Sequence, residues 1–356
     1  MHDTSSAQPE HIELWNEQRI TSWQDYHLSG MPELISSFNL CHALLALANT
    51  GLLDRIRDRG PVAADELLAG LDGCDGREFL RYLTVSGVLS HWQDKYQLTR
   101  RGELLTADVA LARLGFYLEA YGPVTQRTTD LLTGAARYGR DVVRADGQLG
   151  RHSGTVTTTS YLQIIMDAMR GKGATRLLDV GCGGGSLLVE LCERHPELTG
   201  VGIDIAPDAI EAARKLATDR GVADRVEFFV ADAFAPDTWP APCLTADVIC
   251  GLGVLHERFR DGDEAVVEIL NRYATVVPNG KTLLIGEPEL RYDNRENDSD
   301  FFLVHILTAQ GIPRDRTAWL ALFEKTELVC RRIYTSAVAG PRTCFYELTP
   351  GADRSA

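Results

Sequence analysis

RLLDVGCGGGS, residues 176–186, is the stretch that decides the fold of this chain. A short apolar run leads through Asp179 into a loop of small residues, Gly181 to Gly185. Such runs are typical of strands buried in a parallel sheet, and glycines let the backbone approach a ligand closely. The next apolar run, 198–205, closes on Asp204, at the place where an acidic residue can hold ribose hydroxyls. The two features predict a nucleoside-containing ligand at the carboxyl ends of two strands.

The loop does not have the G-x-G-x-x-G spacing of the dinucleotide fingerprint, because Asp179 stands two positions before glycines spaced G-x-G-G-G. It resembles instead the D-x-G-x-G motif of class I S-adenosylmethionine (SAM) methyltransferases. The resemblance implies that Gly181 and Gly183 face the methionine part of SAM and that Asp204 binds the ribose. The cofactor-binding residues implied by the resemblance are Asp179, Gly181, Gly183, Asp204, Ile205, Asp232, Ala233 and Phe234.

Asp232 ends a third apolar run, 226–231. In the resembling family an aspartate at this place binds the adenine amino group, and an aromatic neighbour, here Phe234, packs on the base. The alternative is that Asp232 only caps the N-terminus of a following helix. We expect the cofactor contact.

Apolar runs and helical patterns alternate from residue 173 onward, which predicts an α/β domain with a Rossmann-like, doubly wound parallel sheet. Ligands then bind at the carboxyl ends of the strands. The predicted strands are 176–180, 200–204, 226–231, 246–251 and 281–286, and the predicted helices are 186–193, 207–220 and 262–277.

Length and composition favour a globular enzyme with two domains. The chain has 356 residues, of which 44% are hydrophobic and 24% charged. No run of 18 apolar residues and no basic, apolar leader occur, so we expect no membrane partner and a cytoplasmic location. A net charge of −14 repels a phosphate backbone, which disfavours nucleic acid as a partner. The eight cysteines lack C-x-x-C spacing, which argues against a thiolate zinc site.

The first 110 residues predict short helices, among them the apolar helix 34–48, and a hairpin formed by 88–89 and 96–99. This order resembles the winged-helix dimerisation domain that precedes the catalytic domain of small-molecule O-methyltransferases, and it implies a homodimer. A DNA-binding function is disfavoured because the candidate recognition helix carries only Arg77 and Arg81. Residues 111–172 are expected to form linker helices that cap a substrate pocket, and residues 173–350 to form the SAM-binding domain.

The acceptor side of the site is predicted by GVLHER, residues 253–258. It resembles the L-H-D-W segment of the O-methyltransferases, whose histidine removes the proton of the substrate hydroxyl. His256 matches this base, and imidazole is suited to accept a proton near neutral pH. Glu257 and Arg258 replace the aspartate and the tryptophan. Ala318 stands where the glutamate that supports the histidine is expected.

A second histidine, His305, lies 49 positions after His256, in the predicted helix 300–310. Two facing imidazoles are suited to hold a metal ion, and Gln310 is a candidate third ligand. This arrangement resembles the metal-dependent 2-oxo acid C-methyltransferases of nonribosomal peptide biosynthesis, with a divalent or ferric ion such as zinc or iron. The alternative is that neither residue binds a metal: His305 is then a polar residue of the pocket, and Gln310 lies at a solvated helix end.

The leading hypothesis is therefore methylation of the β-carbon of a small 2-oxo acid through a metal-stabilised enolate. Arg151 is the candidate clamp for the acceptor's carboxylate. The runner-up is O-methylation of a phenol or hydroxyl, with His256 as base and Glu287 or Glu257 as its support. A SAM-binding or DNA-binding regulator is a third hypothesis, against which the intact cofactor motifs and His256 argue.

Overall fold

The computed structural model describes residues 11, 17–71, 75–171, 173–277, 281–289, 299–335 and 343–351. The chain divides into two compact units, Met1–Ala107 and Asp108–Ala356. Residues 111–172, which we expected to form separate linker helices, belong to the second unit.

The first unit consists of helices around a small antiparallel sheet in the order β1-β3-β2. The predicted hairpin is present: β2 and β3 pair from Leu89 with Leu98 to Trp92 with Lys95. The elements of this unit are α1 (Glu17–Leu28), α2 (Met31–Asn49), α3 (Leu52–Arg59), β1 (Val62–Ala63), α4 (Ala64–Leu67), α5 (Gly76–Val85), β2 (Leu89–Trp92), β3 (Lys95–Leu98) and α6 (Arg100–Leu105).

Helix α2 exposes much of its apolar surface within its own unit. Among the described residues it is the one helix long and apolar enough to cross a membrane, with a mean hydropathy of 1.3 and 22% of that window buried. Length and composition alone are weak grounds for a membrane span, since buried and interfacial helices share them. The expected cytoplasmic location and absence of a membrane partner stay predictions.

The second unit is built on a seven-stranded sheet in the order β6-β5-β4-β7-β8-β10-β9. The strands are β4 (Arg176–Val180), β5 (Thr199–Asp204), β6 (Val226–Val230), β7 (Val248–Leu252), β8 (Thr282–Pro288), β9 (Leu328–Thr335) and β10 (Thr343–Pro350). Strands β4 to β8 are parallel, as predicted, and β10 runs antiparallel to its neighbours β8 and β9. Our sequence prediction did not include β9 and β10.

The helices of the second unit cover both faces of this sheet. They are α7 (Asp108–Gly115), α8 (Gly122–Thr125), α9 (Thr128–Thr133), α10 (Asp146–Ser160), α11 (Leu162–Arg170), α12 (Ser186–Arg194), α13 (Pro207–Asp219), α14 (Asp263–Val276), α15 (Ser299–Thr308) and α16 (Arg316–Phe323). A π-helical turn, Phe116–Ala120, follows α7, and the 3-10 helix Leu255–Asp261 follows β7. Shorter 3-10 helices span Pro236–Thr238 and Ala241–Thr245.

Two hydrophobic clusters sandwich the sheet, and alternating strand residues face each of them. Leu177 belongs to the cluster that contains Leu188 of α12, whereas Leu178 belongs to the cluster that contains Leu270 of α14. Because both faces are covered, the central strands are buried and the sheet can offer ligand sites only at its edges. The carboxyl ends of β4, β5, β6 and β7 meet at one such edge.

Candidate active site

The glycine-rich loop is folded against the end of β5. The N–H groups of Gly181 and Cys182 both donate to the carbonyl of Ile203, at 2.8 and 2.9 Å. Gly181 has φ of +75°, and a Cβ there would lie 2.7 Å from Val254 Cγ2, so only glycine fits. Gly183, with φ of +50°, has no atom within 4 Å of the position its Cβ would take. The loop therefore leaves open space at Gly183 beside the strand ends.

Asp204 and Asp179 lie at the ends of adjacent strands next to this loop. Asp204 Oδ2 accepts the N–H of Gly183 at 2.9 Å, and its Oδ1 accepts the N–H of Ala206 at 2.9 Å. Asp179 is buried, with 4% of its surface exposed. Burial, with a smaller contribution from the nearby Asp204 carboxylate, raises the pKa of Asp179 to about 7. The ends of these two strands thus hold Asp204, which is hydrogen-bonded to two backbone N–H groups, and the buried Asp179, which titrates near neutrality.

The loop after β6 is held by side chains from several directions. Asp232 Oδ1 accepts the N–H of Phe234 at 2.8 Å, so this carboxylate closes a turn within its own loop; the N-cap of the next helix, Pro236–Thr238, is Ala235 and not Asp232. Trp239 donates to the carbonyl of Asp232, and Tyr273 donates to that of Ala233. The loop is fixed at the same edge of the sheet as Asp204. Ile205, which follows Asp204, is 70% exposed.

A cavity of about 180 Å³ lies beside the end of β7. Most of its wall is apolar or aromatic, and its cationic residues are Arg113 and Arg144. The described residues that line it are Arg113, Phe116, Tyr121, Arg144, Leu149, Ser153, Val156, Thr157, Tyr161, Leu252, Gly253, His256, Glu257, Gly286, Pro288, Phe301, His305, Gln310 and Thr343. His256, His305 and Gln310, predicted from distant parts of the sequence, therefore meet in one cavity.

His256 is held by Glu287 from the end of β8. Its Nδ1 lies 2.7 Å from Glu287 Oε2, and both side chains are buried. The other carboxylate oxygen of Glu287 accepts the N–H groups of Val254 and Leu255, at 3.2 and 2.8 Å. Since a carboxylate can only accept, the arrangement places a proton on His256 Nδ1 and leaves Nε2 with its lone pair. Glu287 thus supplies the support that is missing at Ala318, where the backbone N–H is used to cap α16.

His305 faces His256 across the cavity. Its Nδ1 lies 2.7 Å from the carbonyl oxygen of Phe301, one turn earlier in α15. A carbonyl also only accepts, so His305 Nε2 carries a lone pair too, and this Nε2 lies 3.0 Å from Nε2 of His256. Burial, followed by the electrostatic effect of the neighbouring His256, lowers the pKa of His305 to about 3. His305 therefore stays neutral near pH 7.

Gln310 is part of a polar network on the far side of the cavity. Its Nε2 donates to Glu257 Oε1 at 2.8 Å, and its Oε1 accepts the hydroxyl of Thr308 at 3.1 Å. Arg144 extends this network, because its guanidinium lies 3.5 Å from Glu257 Oε1 and 3.4 Å from the hydroxyl of Tyr121. Glu257, the lining carboxylate, is thus shared by an amide and a guanidinium.

Arg151, the predicted carboxylate clamp, does not line the cavity. Its side chain is 55% exposed and forms an ion pair with Glu119 at 2.7 Å, and Glu119 also contacts His152 at 2.6 Å. The structure brings Arg144 to the cavity instead, with a side chain that is 18% exposed. Both arginines are close in sequence, and only the packing of the loop before α10 distinguishes them. The sequence holds no signal that separates them, because the pairing of Arg144 with Glu257 is seen only in the structure.

Comparison with known proteins shows what this chain is similar to. A family model described as a methyltransferase domain matches residues 172–315. The 2-ketoarginine methyltransferase of Streptomyces arginensis is 29% identical over 332 residues, which cover 86% of this chain and 90% of that protein. Aclacinomycin 10-hydroxylase RdmB of Streptomyces purpurascens is 31% identical over 300 residues, which cover 78% of this chain and 74% of that protein.

The fold also matches a solved structure, that of the mitomycin 7-O-methyltransferase MmcR. The TM-score is 0.66 at 24% identity, over 93% of this chain and 100% of that one. The fold is that of the class I SAM-dependent methyltransferases. The chain belongs to the small-molecule methyltransferase family of secondary metabolism, and it is a SAM-dependent methyltransferase.

Proposed function

We propose that this enzyme methylates the carbon next to the ketone of a 2-oxo acid, with a metal ion held by His256 and His305. The observation that carries the proposal is the 3.0 Å separation of the two Nε2 atoms. When both rings are neutral, two lone pairs oppose each other at this distance. A cation bound by both nitrogens turns that repulsion into a binding site.

The donor set fits a metal that binds imidazole. Two nitrogens that are each about 2.1 Å from one ion lie about 3.0 to 3.4 Å apart for bond angles between a right angle and a tetrahedral one. Glu287 and the Phe301 carbonyl orient the rings through Nδ1, which is the usual outer support of metal-binding histidines. Within the described ranges no group of three or more His, Cys, Asp and Glu could hold a metal. The remaining ligands would then come from Gln310, substrate or water.

Gln310 as a third ligand requires an exchange of partners. Its carbonyl oxygen accepts from Thr308 and lies 3.5 Å from the hydroxyl of Tyr121. An amide oxygen has two lone pairs, so it can keep one of these contacts while it binds an ion. Gln310 also holds Glu257 in place through its Nε2.

A metal ion here would act as a Lewis acid for the ketone and carboxylate oxygens of the acceptor. The side chains of this chain bind and orient that acceptor. Arg144 and Arg113 place two guanidinium groups in the cavity wall, where the acceptor's carboxylate can be bound. Phe116, Leu149 and Phe301 supply apolar surface for its side chain. The name of the Streptomyces arginensis relative, a 2-ketoarginine methyltransferase, supports a 2-oxo acid as acceptor.

We place SAM at the neighbouring strand ends. Gly183 leaves open space for the methionine part, Asp204 presents a carboxylate to the ribose, and Phe234 with Asp232 and Ala233 forms the wall for adenine. The buried carboxylate of Asp179 can balance the positive charge of SAM. The cofactor loop contacts Val254, two residues before His256, so donor and acceptor sites are adjacent.

O-methylation of a phenol or hydroxyl is the second candidate, because the His256–Glu287 pair is also the arrangement of an oriented general base. A base must reach the substrate proton with its free nitrogen. In this structure that nitrogen, Nε2, already lies 3.0 Å from His305. We therefore favour the metal.

A homodimer is the proposed assembly, with α2 as part of the interface. Leu34, Ile35 and Phe38 on this helix are 60%, 48% and 60% exposed within the chain. Such clustered apolar surface is typical of subunit contacts. Sedimentation equilibrium of the enzyme tests the proposal: a monomer at micromolar concentration contradicts it.

The function is tested with enzyme purified without an affinity tag. We expect about one equivalent of metal, and we expect a product of SAM and a 2-oxo acid in which NMR places the new methyl on carbon. Chelation should abolish turnover while SAM binding persists. Turnover of a phenol at the same rate before and after chelation would contradict the metal proposal and favour O-methylation.

A further inference from the structure

Arg258 lies in the cofactor region of the structure, although the proposed function does not use it. It stands on the 3-10 helix after β7, where the resembling family has a tryptophan. Its guanidinium carbon lies 5.3 Å from the centre of the Phe234 ring, which is a cation–π contact. One of its terminal nitrogens binds Asp261 at 2.9 Å. The ion pair with Asp261 therefore fixes a terminal nitrogen of Arg258, and the guanidinium packs on Phe234, which belongs to the proposed adenine wall.

The Nε of Arg258 is buried, and it has no hydrogen-bond partner within the described part of the chain. Buried guanidinium N–H groups are nearly always paired, because leaving one unpaired costs free energy. Terminal nitrogens of arginine can reach solvent by small rotations, whereas Nε cannot. An unpaired N–H group beside the proposed SAM site indicates that an acceptor atom of the bound ligand completes its hydrogen bonding.

Phe234 cannot easily move away from Arg258. Its N–H donates to Asp232, and its carbonyl accepts from Arg272 at 2.8 Å. The preceding carbonyl, that of Ala233, accepts from Tyr273 at 2.9 Å. The ring is thus mounted on a segment whose polar backbone groups are tied to α14. The Arg258 guanidinium and the Phe234 ring therefore fix each other's orientation.

We propose that Arg258 is a cofactor-positioning residue, which holds Phe234 and donates its Nε–H to the adenosine part of SAM. A guanidinium is planar and stacks on aromatic rings, so Arg258 can hold Phe234 through its face. The proposal rests on the proposed placement of SAM. It does not depend on the methyl acceptor, because it concerns the binding of SAM and of its product, S-adenosylhomocysteine.

The test is calorimetric titration of SAM and S-adenosylhomocysteine without an acceptor. For Arg258→Ala we expect both Kd values to rise about tenfold and in the same proportion, because the two ligands share adenosine. At saturating SAM, kcat should be unchanged while KM for SAM rises. Arg260→Ala is the matched control, because Arg260 lies on the same helix and its Nε is 3.8 Å from the same Asp261 carboxylate. We expect it to bind SAM as the unaltered enzyme does.

Two further variants separate positioning from simple packing. Arg258→Met keeps apolar contact with Phe234 but has no N–H, and we expect it to bind as weakly as Arg258→Ala. In a double-mutant cycle with Phe234→Ala, the two losses should be clearly less than additive. Unaltered Kd values in Arg258→Met, or an equal loss in Arg260→Ala, would overturn the proposal. Full additivity of the two losses would overturn it as well.

Discussion

His256 and His305 face each other through their unprotonated nitrogens, with the two Nε2 atoms 3.0 Å apart. Each ring is held in this tautomer by an acceptor at Nδ1, Glu287 for His256 and the Phe301 carbonyl for His305. The acceptors come from a strand end and a helix turn, so the pair is built by two independent elements. The two opposed lone pairs are the basis of the proposed cation site.

Replacing His305 tests whether this residue is a metal ligand or only a polar residue of the cavity wall. For His305→Ala we expect loss of the bound metal and a fall of at least about 100-fold in 2-oxo acid turnover, because one nitrogen alone does not retain the ion. The Kd for SAM should change less than twofold, about the limit of a titration, because the cofactor region does not include this residue. Metal analysis and initial rates measure the first two quantities.

His195→Ala serves as the control for this variant. His195 lies at the C-terminal end of α12, and its ring contacts Glu197 at 3.7 Å. It should keep both metal and turnover. Normal turnover in His305→Ala would contradict the ligand role of His305.

The carboxylate clamp can be identified with a matched pair of arginine variants. Arg144→Gln should raise KM for the 2-oxo acid about 10- to 100-fold, because a charge-assisted pair to the carboxylate is lost. Arg151→Gln should leave KM nearly unchanged, since Arg151 is half-exposed and pairs with Glu119. Steady-state kinetics with varied acceptor gives both values. A larger effect in Arg151→Gln would restore our first assignment.

The cavity also predicts which side chain the acceptor carries. Its lining carboxylate, Glu257, is already engaged by Gln310 and Arg144, so a cationic side chain would be buried without a free partner. We expect kcat/KM to be at least about tenfold higher for aromatic or branched aliphatic 2-oxo acids than for a guanidino 2-oxo acid. Competition between the two acceptors in one reaction measures this ratio. Preference for the guanidino acid would mean that Glu257 changes partners on binding.

The central sheet and the cofactor loop could be predicted because their signals are local. The predicted strand 176–180 is the observed β4, and the alternation of apolar runs placed Asp204 and Asp232 at neighbouring strand ends. Parallel topology alone brings these ends together. The meeting of His256 and His305, in contrast, was expected from the resemblance to the 2-oxo acid C-methyltransferases, and the two rings do lie side by side.

The side chains that complete the acceptor site could not be predicted, because they depend on packing between distant segments. The choice between Arg144 and Arg151 is made where α10 packs on α7, with His152 so close to Gly115 that a Cβ there would lie 2.2 Å from its ring. Helix α10 itself, Asp146–Ser160, is rich in glycine and threonine, so its local propensity is poor. Strand β8 extends to Pro288, two residues beyond the predicted end, and carries Glu287; the sequence named Glu287 as one of two possible supports for His256, and only the packing decides between them.

The titration of Asp179 predicts a pH dependence of SAM binding. Its pKa of about 7 in the free enzyme is raised above that of an ordinary carboxyl. The folded protein therefore holds a proton that the unfolded chain has released, so this contribution to stability is fully present below the unfolded pKa and is lost as pH rises through about 7. SAM is a cation and prefers the anionic form, so its binding should release a proton. We expect affinity to increase from pH 5.5 to 8, by up to about tenfold per unit below the pKa.

Asp179→Asn isolates this effect, because the amide does not titrate and is close in size. Its affinity for SAM should be lower at pH 8 and nearly independent of pH. Calorimetry in two buffers of different ionisation enthalpy counts the protons released. Equal proton release by Asp179→Asn and the unaltered enzyme would show that another group titrates.

Glu287→Gln tests whether the tautomer of His256 is essential. The amide oxygen can still accept from Val254 and Leu255, but the amide nitrogen can only donate to His256 Nδ1. The ring proton must then move to Nε2, where it can bond to His305 at the observed 3.0 Å. The fold should therefore keep its thermal stability, while metal affinity or turnover falls about 10- to 100-fold.

Imidazole nitrogen NMR of Glu287→Gln reports the tautomer directly, and metal analysis with thermal unfolding completes the measurement. Glu264→Gln, at the exposed start of α14, removes one negative charge away from the site and should leave all three unchanged. If Glu287→Gln moved the proton to Nε2 and still turned over normally, neither metal binding nor proton removal at this nitrogen could drive the reaction. Loss of turnover with intact stability is the outcome that both candidate mechanisms require, and metal content then decides between them, because only the 2-oxo acid mechanism predicts that metal and turnover fall together.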